Sequence, residues 1–330
     1  MKIIDEKKKW VKKIKRSKCV FIMAHKDLDL DALGSSLGMY EILTKLRKTC
    51  YLVIDDKKME DGVKKVYNLI SNKFNIIKSS EINNKKNSKE DKNLLLILDT
   101  NKKYLLQNES VLDLFSNILI FDHHQLADNS INNAVLIVDN NASSTCEMIA
   151  SLIEYYGVSI DSLLATILLS GIVLDTNNFM IKTNTKTYYT AYFLTTLGAD
   201  PKQVQYLLKQ DLKKYVERQK VITDVVIINN NIALSMGGKN QVYRREDLAK
   251  IADTLLLFSN IEASFVIGNL SKKEVGISAR SMGNISINEV LTSFGGGGDR
   301  HDGAAKIIGK TILEVEQDLK KVLRKIKKGE

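Results

Sequence analysis

Residues 19–35 read CVFIMAHKDLDLDALGS, an apolar run followed at once by a histidine, three aspartates and the start of a helical pattern. A short apolar run bounded by polar residues predicts a buried strand, and the acidic turn after it predicts a strand-to-helix crossing. His25, Asp27, Asp29 and Asp31 recur at every second residue. A loop at the carboxyl end of the strand can therefore aim an imidazole and several carboxylates into one crevice. Packed that closely, such groups repel one another or lose solvation unless a cation holds them. A solvated acidic turn, with Asp31 capping the helix, is the plainer reading of Asp31 taken alone. The cluster as a whole points to a metal.

The same arrangement returns further along the chain. Asp99 closes the apolar run LLLIL, Asp175 closes ATILLSGIVL, and Asp122-His123-His124 follows ILIF. Polar residues often end buried elements, so each acid alone decides nothing. Adjacent histidines point in different directions on an extended backbone, which lets one face a metal and the other a substrate. The chain has only four histidines, His25, His123, His124 and His301, and all lie in acidic or glycine-rich clusters. Imidazole and carboxylate without thiolate suit manganese, magnesium or iron(II) better than structural zinc. Two such ions about 3.5–4 Å apart activate water and neutralise charge on a phosphoryl group.

Around these motifs, Cys19–Ala24, Tyr51–Ile54, Leu94–Leu98, Ile118–Phe121 and Val135–Val138 read as buried strands. Helical periodicity starts at Ala32, Thr145 and Ser162. The alternation predicts an α/β fold with a parallel sheet covered by helices. EINNKKNSKEDK, residues 81–92, has one apolar residue and reads as a mobile surface loop. After Pro201, the only proline, polar helical segments run from Val204 to Val221 and a strand pair follows around Asn229–Asn231. The expected division is a catalytic domain over 1–204, a linker helix over 205–222 and a smaller α/β domain over 223–330, closed by a helix from Ile312 to Ile326.

Composition excludes several classes. The 330 residues suit about two domains, and 44% hydrophobic with 27% charged residues is the balance of an ordinary globular chain. The net charge of +10 divides into +7 over residues 1–18, +5 over 320–330 and −2 over the body, so no basic groove runs along it. That argues against a binder of long nucleic acid. Ser162–Leu174 is too short to span a membrane and Cys19–Ala24 too short for a secretory signal, so a cytoplasmic location is expected. Cys19, Cys50 and Cys146 have no metal-ligand spacing and read as reduced thiols.

The last third carries a second set of candidates. GISARSMGN places Ser278 and Arg280 on one face of a predicted strand, and SFGGGGDRHDGAAK contains Gly295, Gly296, Gly297 and Gly298 in succession. The N–H groups of a glycine loop approach an anion or base closely, and arginine grips phosphate with a fork of donors. A flexible turn is the alternative for the glycines alone. Together the three features suggest a recognition module.

Taken in order, these motifs resemble the DHH phosphoesterases with a DHH-associated C-terminal domain, over roughly residues 17–325. The match rests on His25, Asp29 and Asp31, on Asp99, on Asp122 to His124 and on Asp175. Within that family HKDLDLDALGSSLG, DHHQ, ASSTCEM, GIVLDTNNF, IADTLL, IEASFVIG and ISARSMG are most similar to the catalytic part of GdpP-type cyclic-di-AMP phosphodiesterases. The resemblance implies one metal on His25, Asp29 and Asp99 and a second on Asp31, Asp99, His123 and Asp175, with Asp99 bridging. It implies a catalytic role for His124, contacting the phosphate, beside Asp122, and nucleotide contacts from Ser278, Arg280 and Gly295–Gly298. Asp27 would support the ligands without touching an ion. The family's histidine directly after the glycine run is displaced here by Asp299 and Arg300, so His301 is its candidate replacement.

The implied reaction is metal-dependent hydrolysis of cyclic-di-AMP to pApA, then to AMP, in a cleft between the domains, with manganese or magnesium as cofactor. The expected partners are small nucleotides (cyclic-di-AMP, pApA or short RNA), with a homodimer left open. A 3′-to-5′ nanoRNase and pAp phosphatase is the nearest rival. A silent nucleotide-binding module would need ligands to be missing, and a long-chain exonuclease would need an aromatic-lined basic stretch.

Overall fold

A computed structural model of the chain describes residues 2–55, 59–126, 130–298 and 300–326. It divides into two compact units, Met1–Lys209 and Gln210–Glu330. The boundary falls between two helices, Pro201–Leu207 and Leu212–Ile222, in the stretch read as polar helical segments with a linker helix over 205–222.

The first unit is built on a sheet of β1 (Cys19–Met23), β2 (Thr49–Val53), β3 (Ile76–Ile77), β4 (Asn93–Leu98), β5 (Ile118–Asp122) and β6 (Val135–Val138). All pairings are parallel, in the order β3-β2-β1-β4-β5-β6. β1, β4 and β5 are buried at every residue, which is why they read as unbroken apolar runs. Alternate residues serve two cores. Val20 and Ile22 pack with the helices Leu30–Lys45, Thr145–Tyr155 and Ser162–Asp175, while Phe21 and Met23 face the layer holding Val111 and Phe115. The Ser162–Asp175 helix is apolar on all sides because its residues Leu164–Val173 are buried throughout. The strand order reverses between β1 and β4, and in open parallel sheets the crevice at the carboxyl ends of such strands is where ligands bind.

The second unit has β7 (Val226–Ile228), β8 (Ile232–Met236), β9 (Ala263–Asn269), β10 (Glu274–Ser281), β11 (Gly297–Gly298) and β12 (Asp302–Ile308), in the order β11-β12-β10-β9-β8-β7. Only β8 and β9 pair in parallel. The β7–β8 turn places Asn229 and Asn230 at φ 52° and 68°, the left-handed pair that asparagine tolerates in tight hairpins. One face packs on the Ile287–Thr292 and Ile312–Leu323 helices, the other on Arg245–Leu255.

Three expectations need correcting. Residues 81–92 form short helical turns rather than a mobile loop: Ile82 is fully buried and Asn93 accepts a hydrogen bond from the Asn87 amide and donates to the carbonyls of Asn87 and Lys89. Asp29, not Asp31, caps the Leu30–Lys45 helix, accepting from the Ala32 amide at 2.9 Å. The glycine run is only half a loop, since Gly297 and Gly298 pair with Ala304 and Gly303 as an edge strand. Among the described residues no helix is long and apolar enough to cross a membrane.

Candidate metal centre

The carboxyl ends of β1, β4 and β5, with the last residue of the Ser162–Asp175 helix, deliver six donors to one place. Asp99 lies at the centre. Its Oδ2 is 3.3 Å from His25 Nε2, which also has Asp29 Oδ2 at 3.5 Å. Its Oδ1 is 3.5 Å from His123 Nε2, which in turn has Asp175 Oδ2 at 3.1 Å. Three sets of ligand atoms each lie within 4.8 Å of one another: His25, Asp29 and Asp99; Asp31, His123 and Asp175; Asp99, His123 and His124. The six residues expected to hold metal are thus gathered together, and Asp27 is exposed outside these sets.

Asp99 has a left-handed backbone, φ 61°, just past the strand end. Such a conformation is uncommon for a residue with a side chain and clusters at functional sites. Asp122 is fully buried and organises the histidine pair. Its Oδ2 accepts from Asn101 Nδ2 at 2.7 Å, and its Oδ1 accepts from the His124 amide and lies 2.8 Å from His124 Nδ1. That contact turns the opposite nitrogen of a half-exposed imidazole away from Asp122. The two histidine rings sit 4.2 Å apart, and Asn140 Nδ2 donates to the His123 carbonyl at 3.0 Å.

The electrostatics are those of a site that calls for positive charge. Burial, then repulsion from Asp99, Asp175 and Asp29, pushes the Asp31 carboxyl well above its ordinary range. Burial also raises Asp175, against the pull of His123. Burial works against the charged imidazole of His123, yet Asp175 and Asp99 lift it to about 9. His25 is raised well above its usual value against burial by Asp29 and Asp99. His124 is raised by Asp122 and Asp99 against burial and its charged neighbour. Protons and metal ions would therefore compete for the same groups.

The donor set passes a direct test for a divalent cation. His123 Nε2 is buried and makes no well-directed hydrogen bond although two carboxylates surround it. A buried polar nitrogen without a well-directed hydrogen bond is costly, and a cation ligated by it and those carboxylates removes the cost. The three cysteines are free and buried, and none belongs to the ligand sets.

In the second unit, Ser278 and Arg280 lie on the face of β10 opposite the buried Ile277 and Ala279. Register places Ser278 beside Ala304 and Ala304 beside Gly297, a row of small residues. Arg280 Nε donates to Asp253 Oδ1 at 2.7 Å, and Nη1 donates to the Ala279 carbonyl. A Cβ on Gly296 would lie 2.5 Å from the Ala304 carbonyl, and one on Gly298 2.1 Å from that of Asp302. Gly297 has nothing nearer than 3.9 Å. Two of the glycines are thus required by strand packing, whereas Gly297 leaves its space open. His301 lies beside this row, Nδ1 3.3 Å from the Ser281 carbonyl and its ring against Gly283, while Asp299 is outside the described residues.

Residue-by-residue reading missed Asn101, Asn140, Thr145 and Asp253. Only the Ser144-x-x-Glu147 pattern was visible in the sequence as a helix start, since Ser144 caps the helix. What each touches depends on packing across many residues.

Residues 19–172 match the family described as the DHH family, N-terminal domain, and residues 219–328 match the DHHA1 domain. The cyclic-di-AMP phosphodiesterase PdeA of Listeria monocytogenes is 35% identical over 96% of this chain. The chain spans only 49% of that relative's length. The bifunctional oligoribonuclease and PAP phosphatase NrnA of Thermus thermophilus is 26% identical, covering 93% of this chain and 89% of its own. An exopolyphosphatase-related protein from Bacteroides fragilis has the same fold, with TM-score 0.77, 20% identity and 94% coverage of both chains.

Proposed function

The chain belongs to the DHH family, a DHH domain followed by a DHHA1 domain, and from that premise we propose that it is a metal-dependent phosphodiesterase that opens cyclic-di-AMP to 5′-pApA. The observation that carries the reading is the gathering of six imidazole and carboxylate donors, Asp99 among them, in overlapping clusters, with His123 Nε2 buried and without a hydrogen bond. His25, Asp29 and Asp99 would hold one divalent ion, and Asp31, Asp99, His123 and Asp175 the second. Two ions so held supply a more acidic water and positive charge against the phosphoryl oxygens.

The chain's own residues do the rest. Asp122 orients the His124 imidazole, and Asp122 and Asp99 favour its charged form, so the ring can donate a proton to a phosphate oxygen as negative charge develops there. Arg280, held by Asp253, grips a second phosphate, while Ser278 and the open space at Gly297 receive the nucleotide, with His301 at the rim. In-line attack of water on phosphorus forms one P–O bond as the bond to the ribose 3′-oxygen breaks, and the proton lost by the water passes to the leaving oxygen through solvent, giving a 3′-hydroxyl and a 5′-phosphate. Repeated on pApA, the same groups yield AMP.

The substrate assignment is supported by the stronger similarity to the relative named for cyclic-di-AMP than to the one named for oligoribonucleotides and PAP. Chromatographic product analysis with manganese tests it. Purified chain is expected to convert cyclic-di-AMP to pApA, with long single-stranded RNA untouched. Robust release of phosphate from pAp with cyclic-di-AMP intact would assign it to the nanoRNase and pAp phosphatase activity instead.

A further inference from the structure

The first turn of the Thr145–Tyr155 helix reaches both halves of the donor cluster. Its opening amides close on Asp31 from more than a hundred residues away: Thr145 N–H donates to Oδ2 at 2.8 Å and Cys146 N–H to Oδ1 at 2.6 Å. These are free donors at a helix amino terminus, where a carboxylate is favoured. The Thr145 side chain then turns to the other shared group, its Oγ1–H donating to Asp99 Oδ1 at 2.9 Å.

This turn has little room to shift. A Cβ on Gly34 would meet Cys146 Sγ at 2.8 Å, and one on Gly171 would meet it at 2.6 Å and Asp31 Cα at 2.9 Å, so Cys146 is wedged between two helices that can approach only through glycine. Glu147, fully buried, accepts from the Ser143 amide and hydroxyl and from Thr187 Oγ1, tying the turn to the Thr185–Thr196 helix. A hydroxyl on such an element is delivered at a defined point, whereas the Asp99 carboxylate sits on a left-handed residue at a strand end and turns about its own side-chain bonds.

We infer that Thr145 is a positioning residue that sets how the Asp99 carboxylate is shared between the two metal positions, holding Oδ1 toward His123 so that Oδ2 stays toward His25. The inference rests on the proposed two-metal reading. Without the hydroxyl, Asp99 rotates, and one position loses its shared oxygen.

The test is manganese binding, read without turnover. Metal-stripped full chain is titrated with Mn²⁺ and free ion is quantified by electron paramagnetic resonance, for the parent, Thr145→Val and Thr145→Ser. The parent is expected to bind two ions. Valine, of matching shape without the hydroxyl, should weaken at least one ion by about 10–100-fold, and serine should stay within about threefold of the parent, the scale of lost outer partners at metal sites. Thermal midpoints of the stripped proteins show whether each variant is folded, and Thr145→Ala replaces valine if valine is not. Unchanged binding in the hydroxyl-free variant overturns the inference, as does serine binding as poorly as valine. A parent chain that takes up no manganese overturns the two-metal reading itself, and the inference with it.

Discussion

The first unit concentrates charge where strands end, and the second sets a row of small residues across neighbouring strands. At the ends of β1, β4, β5 and the Ser162–Asp175 helix, acids and imidazoles, most of them buried, lie at mutual distances of 2.8 to 3.7 Å. Burial first, and then repulsion from the neighbouring carboxylates, pushes Asp31 well above its usual range. On β10 and β11 the candidate groups are a buried serine, an arginine already paired with Asp253, and a glycine with room beside it. One region is electrostatically unfinished and awaits cations; the other is satisfied and awaits a shape. Substitutions should therefore fail differently in the two.

The largest effect is expected at the centre of the charged region. Asp99→Ala removes the carboxylate proposed to serve both metal positions, so turnover on cyclic-di-AMP should fall at least about a thousandfold, about 4 kcal/mol of transition-state stabilisation. Metal analysis of the same preparation should find both positions depleted. Full occupancy of one ion would show that the two sets are independent and that Asp99 does not bridge.

Next, His124→Ala and Arg280→Ala set chemistry against grip. Losing His124 should lower kcat by about 10²–10⁴-fold with metal content intact, the range for a proton-transferring side chain. Losing Arg280 should mainly raise KM, by about 1.5–3 kcal/mol for a hydrogen bond to a charged group, again without loss of metal. Steady-state kinetics on both variants would break the contrast if Arg280→Ala stripped the metals or His124→Ala changed only KM.

Acidity should act on the first region. His123 is raised to about 9 and must lose its proton to ligate a metal. Below pH 9, manganese affinity should thus rise with pH, by up to about tenfold per unit for each proton displaced. The same shift has a stability sign. A raised histidine adds stability to the metal-stripped protein that is whole below about 6.5 and is lost as pH rises through about 9. Thermal unfolding at pH 6 and 8.5 should show greater stabilisation by Mn²⁺ at the higher pH, and equal stabilisation would count against His123 as a ligand.

The smallest effect sharpens the other side. Gly297→Ala has space for its methyl, so the unfolding free energy should stay within about 0.5 kcal/mol of the parent, as for a surface change, and the thermal midpoint should hardly move, while KM rises. Gly298→Ala, whose Cβ would lie 2.1 Å from a carbonyl oxygen, should lower the midpoint measurably. Should Gly297→Ala leave KM unchanged, the open space on the row is not a nucleotide contact.

Much of the first unit was legible because a fully buried parallel strand is apolar along its length, and acids and histidines recurring directly after several such runs mark a common crevice where one alone would not. The short β3, Ile76–Ile77, gave no such signal, and the turns over 81–92 were hidden because their order comes from Ile82 and the Asn87–Asn93 bonds rather than from apolar content. The glycine run was ambiguous for a related reason. Flexible loop and tightly paired edge strand both favour glycine, and only the neighbouring carbonyls of β12 distinguish them.

By itself the sequence determined where histidines and acids stand relative to the apolar runs and the order in which the elements occur, since periodicity and the places where apolar runs stop are local properties. Tertiary structure alone decided which oxygen of Asp99 faces which imidazole, that Asp29 rather than Asp31 caps its helix, and that the amides of Thr145 and Cys146 close on Asp31. Those choices depend on helices meeting at Gly34, Cys146 and Gly171 to within a few tenths of an ångström, and such fits arise only when distant segments pack.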